Sequence, residues 1–81
     1  MKIKIMTFAS VKEICGFSEK DIEISNGLCV ADVVQDLIRD YKDFNRVKDR
    51  LLYAVNDVYC DEERILSDGD SLAVFPPVSG G

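Results

Sequence analysis

Val30-Ala31-Asp32-Val33-Val34-Gln35-Asp36-Leu37-Ile38-Arg39-Asp40-Tyr41 is the stretch from which the fold follows. Val30, Val33, Val34, Leu37, Ile38 and Tyr41 recur at the i, i+3, i+4, i+7, i+8, i+11 spacing of one helix face. Asp32, Gln35, Asp36, Arg39, Asp40 and Asp43 fill the other side. The spacing predicts an amphipathic helix of about three to four turns. Asp32 falls in its first turn, where negative charge complements the helix dipole. A single apolar stripe of this kind needs a sheet to cover it.

The flanking segments supply that sheet. Residues 2–8 alternate, with Ile3 and Ile5 on one face and Lys2, Lys4, Met6 and Phe8 on the other. Ser10 is the expected cap of a short helical turn through Val11, Lys12, Glu13 and Ile14, ended by Gly16. Residues 21–25 alternate again, and Asn26-Gly27 turns the chain into the helix. Beyond the helix, residues 51–56 form an almost wholly apolar run, as expected of a central strand. A short strand over 58–60 follows the turn at Asn56-Asp57. Ser67-Asp68-Gly69-Asp70 is a tight turn. In the last strand, 71–75, Leu72 and Val74 share one face and Ala73 and Phe75 the other; Pro76-Pro77 then ends it. Strand, strand, long helix, strands gives an α+β roll, a mixed sheet packed on one main helix. The helix as crossover lets the first and last strands lie side by side in the middle. The expected organisation is one domain over 1–81 with a flexible C-terminal tail, 76–81.

Composition narrows the function. At 81 residues the chain has room for one core and little room for an internal pocket. Lys and Arg number 10 against 15 Asp and Glu, a net charge of −5. An acidic surface repels phosphate backbones and suits a basic groove on a protein partner. Cys15, Cys29 and Cys60 are odd in number, widely spaced and without a CxxC, which argues for free thiols and hence a cytoplasmic setting. With no histidine no ordinary zinc site is expected, and Asp68-Gly69-Asp70 lacks the other ligands of a calcium loop. The longest apolar run, Leu51-Leu52-Tyr53-Ala54-Val55, is too short to span a bilayer, and no signal peptide is expected ahead of the first strand. Asp61-Glu62-Glu63 reads as a solvated acidic face.

Two features carry chemistry. Strand parity sets Phe8 opposite Ile3 and Ile5, and Phe75 opposite Leu72 and Val74. If the aliphatic faces meet the helix, both rings point outward as a docking patch, each worth about 1.5–3 kcal/mol when a partner buries it. The second feature is the ending, Pro76-Pro77-Val78-Ser79-Gly80-Gly81. Glycines without side chains thread channels closed to other residues. Residues 78–81 reach about 13–14 Å when extended, and the prolines stiffen the root of the leash. What arrives is a bare carboxylate on Gly81. A carboxylate is a poor electrophile and needs activation, most simply as an acyl-adenylate, which then accepts sulfur or a lysine amine. The chain has no Walker-type loop, so ATP is expected on the activating partner and no cofactor on this chain. A persulfide relay through the cysteines lacks a neighbouring His or CxxC; Cys29, just ahead of the long helix, is the best placed of the three.

Phe8-Ala9, Ala54-Val55-Asn56, Leu66-Ser67-Asp68-Gly69-Asp70 and above all Phe75-Pro76-Pro77-Val78-Ser79-Gly80-Gly81 resemble the MoaD/ThiS family of ubiquitin-like sulfur carriers, most closely the small subunits of molybdopterin synthase. The resemblance runs from Lys2 to Gly81. It implies a β-grasp, ubiquitin-like fold. It also implies a cycle in which an E1-like enzyme adenylates Gly81, a sulfur donor makes the thiocarboxylate, and the tail enters a large subunit to give sulfur to cyclic pyranopterin monophosphate. The carrier is then a sulfur-donating subunit without catalysis of its own, in a heterotetramer with the large subunit. The family's docking face includes the positions of Phe8 and Phe75. It also includes that of Tyr59, where an aliphatic residue is more familiar.

Three other readings stand beside this one. A carrier for the thiazole of thiamine shares Gly-Gly and Asp-Gly-Asp but lacks the Phe-Pro-Pro-Val ending. A modifier joined to lysines uses the same terminal chemistry. A plain interaction domain makes no use of its tail.

Overall fold

The computed structural model describes residues 1–47 and 50–77; positions 48–49 and 78–81 lie outside the described residues. Along the chain run β1 (Lys2–Thr7), α1 (Ala9–Cys15), β2 (Glu19–Glu23), α2 (Val30–Asp40), a 3-10 helix (Lys42–Arg46), β3 (Leu52–Val55), β4 (Val58–Cys60) and β5 (Ser71–Phe75). The strands form one five-stranded sheet in the order β2-β1-β5-β3-β4. β1 and β5 are parallel, and the remaining pairs are antiparallel. The first and last strands, β1 and β5, lie side by side at the centre of the sheet because α2 and its flanks carry the crossover, as expected. The mixed sheet with its helix on one face is a β-grasp roll.

The core lies where the two periodicities meet. Ile3 and Ile5 from β1, Leu72 and Val74 from β5, and Val55 from β3 pack with Val30, Val33, Val34 and Leu37 of α2. Each fully buried aliphatic contributes about 1.5–3 kcal/mol. Thr7 shares this face and is buried; its hydroxyl donates to the carbonyl of Phe17. The capping of α2 is local: the Asp32 carboxylate accepts the Cys29 backbone N–H at 2.9 Å. Val30 and Ala31 donate instead to the carbonyls of Arg64 (3.0 Å) and Glu62 (2.9 Å). Asp61, Glu62 and Glu63 are exposed, as their composition predicts, and their segment also closes the helix start.

Several boundaries differ from the sequence reading. β1 ends at Thr7, and Phe8 is the N-cap residue of α1; Ser10 lies inside that helix and is not its cap. The helix ends as expected, with Gly16 at φ 79° donating to the Lys12 carbonyl. β2 spans Glu19–Glu23 rather than 21–25. At a sheet edge polar residues such as Glu19 and Lys20 are admissible, so alternation does not mark the strand's start. β3 spans Leu52–Val55, shorter than the apolar run, because Asn56 and Asp57 both take positive φ (52° and 69°) and fold the chain into a two-residue hairpin. Tyr41 sits just past α2 in an extended conformation. The 3-10 helix was not expected. It buries Phe44 completely, yet a lone aromatic among Lys42, Asp43, Asn45 and Arg46 shows no periodicity to read.

Candidate functional site

The outward face of the sheet is built by register. Met6 of β1 stands opposite Ala73 of β5, Ala73 opposite Ala54 of β3, and Ala54 opposite Tyr59 of β4. The two alanines make a low floor. In the next row Leu52 stands opposite Phe75, and Phe8 follows the last β1 partner of β5. Phe75 is therefore central. Its ring meets that of Phe8 edge-on, with centroids 6.3 Å apart and planes at 85°. It meets the ring of Tyr59 at 5.8 Å and 63°. Such edge contacts favour the ring quadrupoles. The trio is a built surface rather than scattered rings.

Tyr59 is 70% exposed and Phe8 44%, with Leu52 at 38%; Phe75, wedged between its neighbours, is half-buried. Contiguous exposed apolar side chains of this kind mark an interaction surface. Both phenylalanines lie on the face away from α2, as parity predicts. Leu52 was missed, because in the apolar run 51–55 no polar partner marks which face a residue takes. Its parity relative to Tyr53 and Val55 was the available signal.

The root of the tail belongs to the same strand. Phe75 is the last residue of β5, followed by half-buried Pro76 and exposed Pro77. β5 runs between β1 and β3, so the chain leaves the sheet at its middle, beside Phe8 and Leu52. Val78, Ser79, Gly80 and Gly81 lie outside the described residues.

The start of β5 is held by a polar clamp. Asp70 is buried; its carboxylate accepts from Asn56 Nδ2 at 2.9 Å and from the Ser67 N–H at 2.7 Å. Asn56 Oδ1 in turn accepts the Ser71 N–H at 3.0 Å. Asp68 accepts the Lys2 N–H at 2.7 Å. The Asp-Gly-Asp turn thus spends its carboxylates on backbone and amide groups. Among the described residues no group of three or more His, Cys, Asp or Glu could hold a metal ion, and no helix is long and apolar enough to cross a membrane.

The thiols lie apart from this chemistry. Burial pushes the Cys15 thiol up from its ordinary 9.0, with Lys20 pulling weakly the other way. Burial also raises Cys60, opposed by Arg64. Raised thiols stay protonated near neutrality and are poor nucleophiles. Cys29 heads α2, but its Sγ faces the Asp32 carboxylate at 3.4 Å.

Comparison with known proteins places these features in context. The model of the ThiS family matches residues 5–81. A molybdopterin synthase sulfur carrier subunit of Chlamydomonas reinhardtii is 31% identical over 83 residues, covering 100% of both chains. Among solved structures, a putative molybdopterin converting factor subunit 1 from Pyrococcus furiosus superposes with a TM-score of 0.86 at 30% identity, over 96% of this chain and 99% of that one. The small archaeal modifier protein 1 of Methanosarcina acetivorans superposes with a TM-score of 0.82 at 26% identity, over 99% of this chain and 96% of that one.

Proposed function

The chain belongs to the ThiS family, and from that premise we propose that it is the sulfur carrier subunit of a molybdopterin synthase. One observation carries the reading: Phe75 is at once the centre of the exposed aromatic trio and the residue from which the Pro-Pro root and the Gly-Gly tail depart. A partner that buries the trio receives the tail at a fixed origin. Residues 78–81 then reach about 13–14 Å into that partner.

The work divides accordingly. Phe8, Phe75 and Tyr59 bind the partner. Pro76 and Pro77 hold the leash extended and reduce the entropy lost on threading. Val78, Ser79 and Gly80 pass through the channel, and Gly81 carries the reacting carboxyl. An E1-like partner binds ATP and joins the Gly81 carboxylate to AMP, releasing pyrophosphate. The persulfide sulfur of a sulfurtransferase donor then attacks the acyl carbon and displaces AMP. A thiol reductant cleaves the resulting acyl disulfide, freeing the thiocarboxylate and leaving the donor and reductant sulfurs joined as a disulfide. In the large synthase subunit that sulfur passes to cyclic pyranopterin monophosphate, two transfers completing the dithiolene. The carrier supplies no catalytic group beyond its terminus and acts in the cytoplasm, in a heterotetramer of two carriers and two large subunits.

The likeness to a small archaeal modifier protein supports a second reading, in which the activated Gly81 is joined to lysines. The test is the intact mass of the protein after incubation with the activating enzyme, ATP and a sulfur source. Replacement of one terminal oxygen by sulfur, abolished by deletion of Gly81, is the expected result. An unchanged mass with competent partners overturns the carrier reading, and lysine conjugates in its place favour the modifier.

A further inference from the structure

At the edge of the sheet farthest from Tyr59, we infer that β2 is a docking edge for an extended segment of a second protein partner, one alternating apolar and basic residues. The ladder between β1 and β2 shows which backbone groups are free. Ile24 and Met1 exchange both hydrogen bonds at 2.8 Å, and Thr7 donates to the Ser18 carbonyl at 2.9 Å. With Ile3 opposite Ile22 and Ile5 opposite Lys20, the alternation of an antiparallel ladder directs Ser18, Lys20, Ile22 and Ile24 inward. Glu19, Asp21 and Glu23 therefore turn their N–H and C=O groups to the outside, and among the described residues nothing covers them. Such a row is a template for one more strand.

A groove lies alongside. Between β2 and α2 a cavity of about 140 Å³ has an apolar wall that includes Phe17, Ile22, Ile24, Leu37 and Tyr41, and the charged residues Lys20, Glu23, Asp36, Arg39 and Asp40 line it as well. Phe17 and Tyr41 pack at 6.1 Å, with the Lys20 ammonium 5.6 Å above the Phe17 ring. A strand added to β2 directs alternate side chains into this groove. Its other side chains stand beside Glu19, Asp21 and Glu23 on the outward face. Of these three carboxylates only Glu19 has an ion pair among the described residues, with Lys4 at 3.2 Å. On the groove's rim Arg39 is already engaged by Asp36 and Asp40, each at 3.3 Å. The segment that fits is thus apolar inward and basic outward.

Charge also excludes a second copy of this chain. Antiparallel pairing of β2 with itself, centred on Asp21, sets Glu19 against Glu23 and Asp21 against Asp21, and like charges directly opposite destabilise a pair. An acidic edge that served only to prevent aggregation needs no groove with an apolar wall beside it. Because β1, β5 and β3 separate β2 from β4, this edge stays open while the aromatic trio is covered.

The test titrates an alternating lysine–valine heptapeptide into the isotopically labelled full chain, following amide shifts and hydrogen exchange. Saturable binding is expected, with slowed exchange at Glu19, Asp21 and Glu23, shifts at Phe17 and Tyr41, and none at Phe75 or Tyr59. Asp21→Pro removes an outward N–H without touching the ladder to β1, and is expected to weaken binding about tenfold or more with the unfolding midpoint retained. The double substitution Asp21→Lys with Glu23→Lys is expected to do the same while keeping the backbone donor. Should Asp21→Pro fail to fold, a peptide N-methylated along one edge tests the same hydrogen bonds. Equal binding of that peptide, binding without protection of the three amides, or association of the chain with itself through this edge each overturns the proposal.

Discussion

The ring of Phe75 stands edge-on to that of Phe8, centroids 6.3 Å apart, although the two residues are separated by almost the whole chain. The parallel pairing of β1 with β5 brings them together, Thr7 opposite Val74 being its last register pair. Tyr59 closes on the same ring from the other side at 5.8 Å. Removing Phe75 therefore removes the keystone of the surface while leaving Leu72 and Val74 in the core. Phe75→Ala is expected to weaken binding of the large subunit by about 1.5–3 kcal/mol, with cooperative unfolding retained. Titration calorimetry and a thermal melt of the free carrier measure the two effects. Loss of the cooperative melt would make Phe75 a core residue.

Leu52 extends the same surface on β3, opposite Phe75. Leu52→Ala is expected to weaken partner binding by less than Phe75→Ala, since the smaller side chain buries less apolar area. If Leu52→Ala has no effect on affinity while Tyr59→Ala does, the interface stops short of this row.

The clamp on β5 is a stability device. Asp70→Ala leaves Asn56 Nδ2 and the Ser67 N–H without their acceptor. A loss of about 1–3 kcal/mol is expected, read from urea unfolding. Asn56→Ala removes the other half, and the double variant is expected to lose less than the sum, because the two side chains share one network. Strict additivity would refute the coupling.

Gly69 takes φ of 87° in the turn before β5, and a Cβ there meets no atom within 4 Å. The cost of Gly69→Ala is thus conformational alone, about 1–2 kcal/mol. A larger loss in chemical denaturation would reveal a steric clash that the geometry lacks.

The cysteines give a pH signature. Burial holds the folded Cys15 and Cys60 thiols above 9.0, while the unfolded chain releases those protons first. Their contribution to stability is thus complete below the unfolded value and is lost as pH rises through the folded one. Cys15→Ala is expected to flatten that alkaline decline, followed by denaturation between neutral and strongly alkaline pH. A variant lacking all three thiols is expected to accept sulfur at Gly81 at the rate of the parent; a lost mass shift would assign the thiols a relay role.

The sequence alone determined what rests on local period and parity. The stripe from Val30 to Tyr41 announced α2, and the alternation of Leu72 and Val74 with Ala73 and Phe75 set both phenylalanines outward, because a strand has only two faces. The Gly-Gly pair and the Pro-Pro before it needed no fold to be read, since that reading rests on residue type within one short segment.

What only the tertiary structure decided rests on register between distant strands. Leu52 joined the patch because β3 pairs with β5, a fact hidden in an all-apolar run. Phe44 entered the core through a 3-10 helix with no sequence period. The partners of Asp70 lie on another turn, and the free backbone of Glu19, Asp21 and Glu23 depends on which side of β2 faces β1. Side-chain period is a property of one segment and is written in it. Which segments meet, and in what register, is a property of their shared burial, and only the folded chain expresses it.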